Sequence, residues 1–219
     1  MTHLLYITTE NTRLHSCEQA MLTKEDADKA AKITGKARGA VFQTDAEYIK
    51  RKCGPDGINK AKALLKQLGY PIEYSNINAL DWYPLGLRLI SFLAFKEISE
   101  WQEADFKNMG NEAPKYSFIV KLMMKFFISP RIAFSHAPDY WVKHYSVGVL
   151  EATEFNEEKN YAITRLKDFN VHSIYCRYLE GYFQKLFQLM LPNKNVKIKE
   201  TKCVFSNDDY HEFRVEWRN

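Results

Sequence analysis

Cys203 and His211 flank a polar turn close to the end of this 219-residue chain, and a thiolate beside an imidazole is the beginning of a zinc site. Cys176, on a helix expected just upstream, adds a third donor of the same soft kind. The competing reading is that each cysteine is a small buried apolar side chain, because a strong zinc signature needs four ligands at recognisable spacing and only two, Cys203 and His211, are placed. Cys17 and Cys53 lie far from these and from each other. No pair has the close spacing of a zinc knuckle or a redox motif, so the cysteines read as reduced thiols and the expected compartment is the cytoplasm.

Other residues are candidates for binding rather than bond-breaking. Glu180 stands among Tyr178, Tyr182 and Phe183; facing inward it is a costly buried carboxylate that needs a partner, facing outward an ordinary surface charge. Met123 and Phe127, in an apolar run with Met124 and Phe126, are suited to line an apolar cavity or simply to fill a core. Tyr145, Tyr178 and Tyr182 complete the expected ligand-binding set. His136, His144 and His172 fall near element ends and read as surface or capping residues. There is no glycine-rich phosphate loop, no Gly-x-Ser-x-Gly and no His-Glu-x-x-His, and 9 glycines leave little for nucleotide cradles. The chain reads as a binding protein, not an enzyme.

Composition agrees. The net charge of +4 comes from interspersed signs, as in Lys24-Glu25-Asp26-Ala27-Asp28-Lys29, so no basic stripe marks a nucleic-acid partner. The N-terminus lacks the pattern of a signal peptide. The most apolar windows, 85–95 and 118–128, carry interior charges (Arg88; Lys121 and Lys125) and are too short to span a bilayer.

The elements that must position these residues change character along the chain. Residues 1–37 read as a peripheral arm with one helix near 23–33. Residues 38–144 read as a helical subdomain. Thr44 and Glu47 have the spacing of a capping box, so a helix is expected to start there and stop near Gly54-Pro55, with Asp56 capping the next, which Gly69 ends. Asp81-Trp82-Tyr83-Pro84 is expected to open another helix, a charged segment follows, and 118–128 reads as a central helix. Residues 145–219 read as a hairpin, a helix over 171–190 and a second hairpin, making a four-stranded antiparallel sheet packed on a helix. In the last strand His211, Phe213, Val215 and Trp217 share one face. The predicted class is α+β, ββαββ after a helical part, with the last two units forming one compact body.

From about Gly39 onward the text resembles a known family. Gly39-Ala40-Val41-Phe42 and Gly54-Pro55 resemble the opening of heme-nitric oxide/oxygen binding (H-NOX) domains, and Ser129-Pro130-Arg131-Ile132 with Trp141-Val142-Lys143-His144-Tyr145-Ser146-Val147-Gly148 their middle. Glu180-Gly181-Tyr182 through Cys203-Val204-Phe205-Ser206-Asn207-Asp208-Asp209-Tyr210-His211-Glu212-Phe213 resembles the tail of 4-vinyl reductase domains, usually Cys, three residues, Gly-Asp, two residues, Cys. In that tail Cys203 and His211 take the two sulfur positions. An uncharacterised bacterial family relating the two groups, with Trp-Tyr-Pro in its middle as at Trp82-Tyr83-Pro84, is similar over about four-fifths of the chain.

The resemblance implies a ligand cavity between the helical part and the sheet; relatives bind heme, aromatic effectors, tetrapyrroles or acyl chains. The chain departs from the heme-binding pattern. None of its six histidines lies between residues 16 and 135, where an axial ligand is needed, and the Tyr-x-Ser-x-Arg signature is absent. The expectation is therefore a sensory or adaptor domain binding a small, largely apolar ligand without heme. The rival is a protein–protein interaction module with a filled core, dimerising or partner-binding, which requires exposed apolar residues such as Tyr140 and Trp141. An enzyme acting on a tetrapyrrole or aromatic is not favoured, because no acid–base pair can be named.

Overall fold

The computed structural model describes residues 21–117, 120–121, 129–192 and 194–218. Helix α1 (Lys24–Ala31) is opened by Thr23, whose hydroxyl accepts from the Asp26 N–H while the Asp26 carboxylate accepts from the Thr23 N–H. Its buried face, Ala27 and Ala30, is small enough to lie close on α3 (Leu85–Ser99). Strand β1 (Lys36–Arg38) pairs antiparallel with β2 (Trp82–Pro84) in a two-stranded ribbon.

Helix α2 (Gly39–Gln67) begins five residues before Thr44, where its capping-box spacing predicts a start. Thr44 is buried mid-helix, its hydroxyl donating to the Ala40 carbonyl. The helix start is satisfied from outside: the N–H groups of Gly39 and Ala40 donate to the carbonyls of Asp81 and Ala79, 2.9 Å each. The expected break at Gly54-Pro55 is a kink within α2, where Gly54 takes φ +71°. Trp82-Tyr83-Pro84 forms β2 rather than a helix opening, and Pro84 immediately precedes α3. The charged segment after α3 is α4 (Glu103–Tyr116), capped by Gln102 and Asp105 and burying Phe106, Met109 and Ala113. Two short helices follow, α5 (Pro130–Ser135) and α6 (Ala137–His144). Apart from Val120 and Lys121, the helix expected over 118–128 lies outside the described residues, and Met123 and Phe127 with it.

The C-terminal part is ββαββ. Strands β3 (Val149–Asn156), β4 (Tyr161–Lys167), β5 (Asn195–Lys202) and β6 (His211–Arg218) form one antiparallel sheet in the order β3-β4-β6-β5, with α7 (Ile174–Met190) between the hairpins. Alternation in β6 buries His211, Phe213, Val215 and Trp217 and leaves the intervening residues outward. Helix α7 lies across that buried face, with Phe183 edge-on to Phe213 and Phe187 stacked near Trp217. Its other side meets α4 at two glycines. A Cβ on Gly181 would come within 1.9 Å of the Lys107 carbonyl, and one on Gly110 within 1.9 Å of the Tyr178 carbonyl. The missing side chains let the two backbones touch, which fixes the position of every functional side chain on α7.

Candidate metal centre and adjoining cavity

Three elements bring four donors together under the end of the sheet. Cys176 comes from the first turns of α7, Glu200 from β5, Cys203 from the residue after β5, and His211 from the start of β6. Their ligand atoms all lie within 4.8 Å of one another. Cys176 Sγ is 3.5 Å from Cys203 Sγ and 3.9 Å from His211 Nδ1, and His211 Nδ1 is 2.9 Å from Glu200 Oε1. Tetrahedral zinc with these ligand types spaces them about 3.3–3.8 Å apart. The match is close.

A β-bulge makes it possible. Val196, Ile198 and Glu200 alternate onto the inner face of β5. Unbroken alternation would send Cys203 outward. The register instead slips between Glu200, opposite Phe213, and Lys202, opposite Glu212, and the extra residue turns Cys203 to the side of His211. The Cys203 N–H then donates to the Asp208 carboxylate at 2.8 Å, which holds the following turn.

The protonation logic of the cluster calls for a proton or a cation between His211 and Glu200. A backbone carbonyl only accepts, so the 3.3 Å contact between His211 Nε2 and the Phe169 carbonyl puts the ring proton on Nε2. Nδ1 then directs a lone pair at the Glu200 carboxylate, and two acceptors 2.9 Å apart are compatible only with a shared proton or metal ion. The same arrangement, one imidazole nitrogen held by a carbonyl and the other free, orients histidine for a metal. Without a metal, burial holds the Cys176 thiol well above its ordinary range, and Glu200 and Cys203 add to the effect. Arg177 braces the site from behind: Nη2 is 3.6 Å from Glu200 Oε2 and Nη1 is 2.8 Å from Glu180.

That contact settles the position of Glu180. Its carboxylate is buried against Arg177 and Lys107 and accepts from the Glu200 N–H, so it supports β5 and does not line the cavity.

Tyr145, Tyr178 and Tyr182 do meet around one cavity, of about 80 Å³, bordered by α6, α7 and the sheet. Trp141, His144, Leu150 and Phe183 complete its principal walls. Beside it lies a buried ion pair that the sequence reading did not find. Arg88 on α3 holds both oxygens of Asp45 on α2, at 2.7 and 3.0 Å, and also donates to the Tyr145 hydroxyl. Tyr145, Tyr175 and Tyr178 surround the guanidinium. Burial opposes the charge on Arg88, yet Asp45 and these tyrosines hold it firmly protonated.

The remaining candidates separate. His136 pairs with Asp139 on the surface, and His172 accepts from the Ile174 N–H at the start of α7. His144, expected as a surface or capping residue, is buried at the end of α6, its Nδ1 bonded back to the Tyr140 carbonyl. Trp141, expected to be exposed, is buried by stacking on Tyr145 and meeting Phe169 edge-on.

This order of elements has counterparts among solved structures. An H-NOX protein from S. oneidensis in its Fe(II)NO ligation state is similar over 83% of this chain and 99% of its own, at TM-score 0.65 and 12% identity. An oxygen-binding H-NOX domain related to soluble guanylate cyclases is similar over 83% and 95%, at TM-score 0.60 and 12% identity. An unliganded Fe(II) H-NOX protein from K. algicida gives 83% and 97%, at TM-score 0.58 and 11% identity. The fold is H-NOX-like. No family model matches the sequence, and no curated protein sequence matches it. Among the described residues, no helix of this H-NOX-like chain is long and apolar enough to cross a membrane.

Proposed function

We propose that this H-NOX-like chain is a non-catalytic sensory domain that holds a small apolar ligand, in place of heme, between α6, α7 and the sheet. The observation that carries this reading is the cavity itself: 80 Å³, walled by aromatic and aliphatic side chains, at the junction of the two parts of the fold. Sites for ligands of ordinary drug size begin at about 300 Å³, and a porphyrin needs at least that much. Heme does not fit this space. Arg88, the cation beside the cavity, is already held to both oxygens of Asp45 and so is not free to pair with a propionate. The sequence over 118–128, which bears no histidine, cysteine or tyrosine, supplies no axial imidazole, thiolate or phenolate.

The same proposal assigns Cys176, Glu200, Cys203 and His211 to one zinc ion. With four protein ligands and no open position, zinc would clamp the last hairpin to α7 and so fix Tyr178 and Tyr182 beside the cavity. Occupancy would leave the domain through a partner protein. Helix α6 walls the cavity with Trp141 and His144 and presents Val142, 62% exposed, on its opposite face. Native mass spectrometry of the whole chain, expressed with zinc and heme both available, tests the assignment. One zinc and no tetrapyrrole per chain supports it, and stoichiometric heme contradicts it.

A further inference from the structure

Several of the polar groups around the cavity have a partner within the protein. The Tyr145 hydroxyl takes a hydrogen bond from Arg88, and the Thr164 hydroxyl donates to the Glu151 carbonyl at 2.9 Å. Trp141 Nε1 is shared between the carbonyls of Val147 and Gly148, at 2.9 and 3.1 Å. His144 Nδ1 lies 2.9 Å from the Tyr140 carbonyl. Among the described residues, two buried side-chain polar atoms have no partner, His144 Nε2 and the Tyr175 hydroxyl, and of these residues only His144 lines the cavity.

The chemistry of the orphan follows from its bonded neighbour. The Tyr140 carbonyl can only accept, so Nδ1 carries the proton. His144 is 5% exposed, and burial, followed by the nearby charges of Arg88, Arg38 and Lys143, keeps the ring neutral. Nε2 is therefore a lone-pair acceptor closed off from solvent. An unmet buried acceptor is rare enough in folded proteins to require an explanation, and at a cavity wall the direct one is a ligand that donates to it.

From these contacts we infer that the ligand is a small apolar molecule with one hydroxyl, whose O–H is taken by Nε2 of His144 while its carbon skeleton lies against Trp141, Leu150 and Phe183. This rests on the cavity being the ligand site. Size limits the skeleton further: an apolar cavity of about 150 Å³ accommodates a benzene ring, and this one is roughly half that. Short-chain alcohols are the fitting class.

The test is a pair of constitutional isomers, 1-butanol and methyl propyl ether, equal in composition but differing in the donor. Each is titrated into the whole zinc-loaded chain, following the side-chain resonances of Leu150 and Trp141 by NMR. The alcohol is expected to bind about tenfold more tightly than the ether, and His144→Phe, which keeps a ring but removes Nε2, to abolish the difference. His144→Gln, which can restore an acceptor, should recover part of it and guards against a Phe variant that fails to fold. Equal binding of both isomers to the wild-type chain would overturn the hydroxyl assignment while leaving the cavity reading intact. Binding of neither would overturn both.

Discussion

The sulfurs of Cys176 and Cys203 lie 3.5 Å apart although one belongs to α7 and the other to the far end of β5. Two thiols and an imidazole that meet around a carboxylate tie a helix to a hairpin more tightly than their own hydrogen bonds do, provided a metal joins them. Metal binding at such a site is coupled to folding.

Zinc should therefore set the thermal stability. With free zinc about a thousandfold above its dissociation constant, removal by chelator is expected to cost about 4 kcal/mol, or about 10 °C in Tm for a chain of this size. Cys176→Ser and Cys203→Ser should lose both the metal and the chelator-sensitive part of Tm. Calorimetry with metal analysis checks it; a Tm indifferent to chelator would contradict the assignment.

Arg177 should act on the metal through Glu200. It meets Oε2 of that carboxylate, while His211 meets Oε1. Arg177→Ala is expected to weaken zinc binding about 10–100-fold, the usual cost of removing such support, with the ligands all in place. A competition assay against a chromophoric chelator measures this, and unchanged affinity would show that Glu200 needs no brace.

The Arg88–Asp45 pair should be expensive to break and cheap to replace. Arg88→Met leaves a buried carboxylate without its counter-charge and is expected to cost about 3–5 kcal/mol in urea unfolding. Arg88→Met with Asp45→Leu should recover most of that loss. A double variant as weak as the single one would mean that the tyrosines around the guanidinium, not the ion pair, carry the effect.

The glycine contact between α4 and α7 gives a sharper test of packing. Gly181→Ala places a methyl group within 1.9 Å of the Lys107 carbonyl, where backbone and not a flexible side chain must yield. A loss of about 3 kcal/mol is expected in denaturant unfolding. A change within 0.5 kcal/mol, the range of a neutral surface substitution, would mean the helices part easily.

His144 predicts a pH dependence of definite sign. Burial holds its folded-state pKa below the ordinary 6.5, so the unfolded chain takes up the proton first as pH falls. Its contribution to stability is complete above about pH 6.5 and declines as pH drops toward the lowered value. His172 shifts in the same direction, also through burial, so the comparison is between wild type and His144→Phe. Between pH 7.5 and 5.5 the wild type should lose more stability than the variant; parallel curves would place His144 in contact with solvent.

Much of this was legible in the sequence, and the misses have physical causes. The ββαββ order and the inward face of His211, Phe213, Val215 and Trp217 follow from period-two alternation. Glu200 was legible in principle, since it shares the inner register of Val196 and Ile198. What hid it was the bulge: without the slip after Glu200, Cys203 belongs to the opposite face, and alternation alone cannot announce an inserted residue. Arg88 carried a signal too, as a lone cation in an apolar stripe, but its partner Asp45 is set by tertiary packing of α2 on α3. Helix α4 read only as a charged segment, although its Phe106, Met109 and Ala113 are buried and its Gly110 is the contact with α7. His144 looked like a surface or capping residue near an element end because nothing local reveals that α6 turns it inward.

The most direct test of the central claim is to pressurise crystals of the zinc-loaded chain with xenon, an apolar atom that enters dry cavities and ignores polar ones. The account predicts an anomalous peak between Trp141, Leu150 and Phe183, with the Arg88–Asp45 pair unmoved. Strong xenon sites elsewhere with none at this position would mean that the space is filled in solution, and that the chain does not sense through a cavity between its helical part and its sheet.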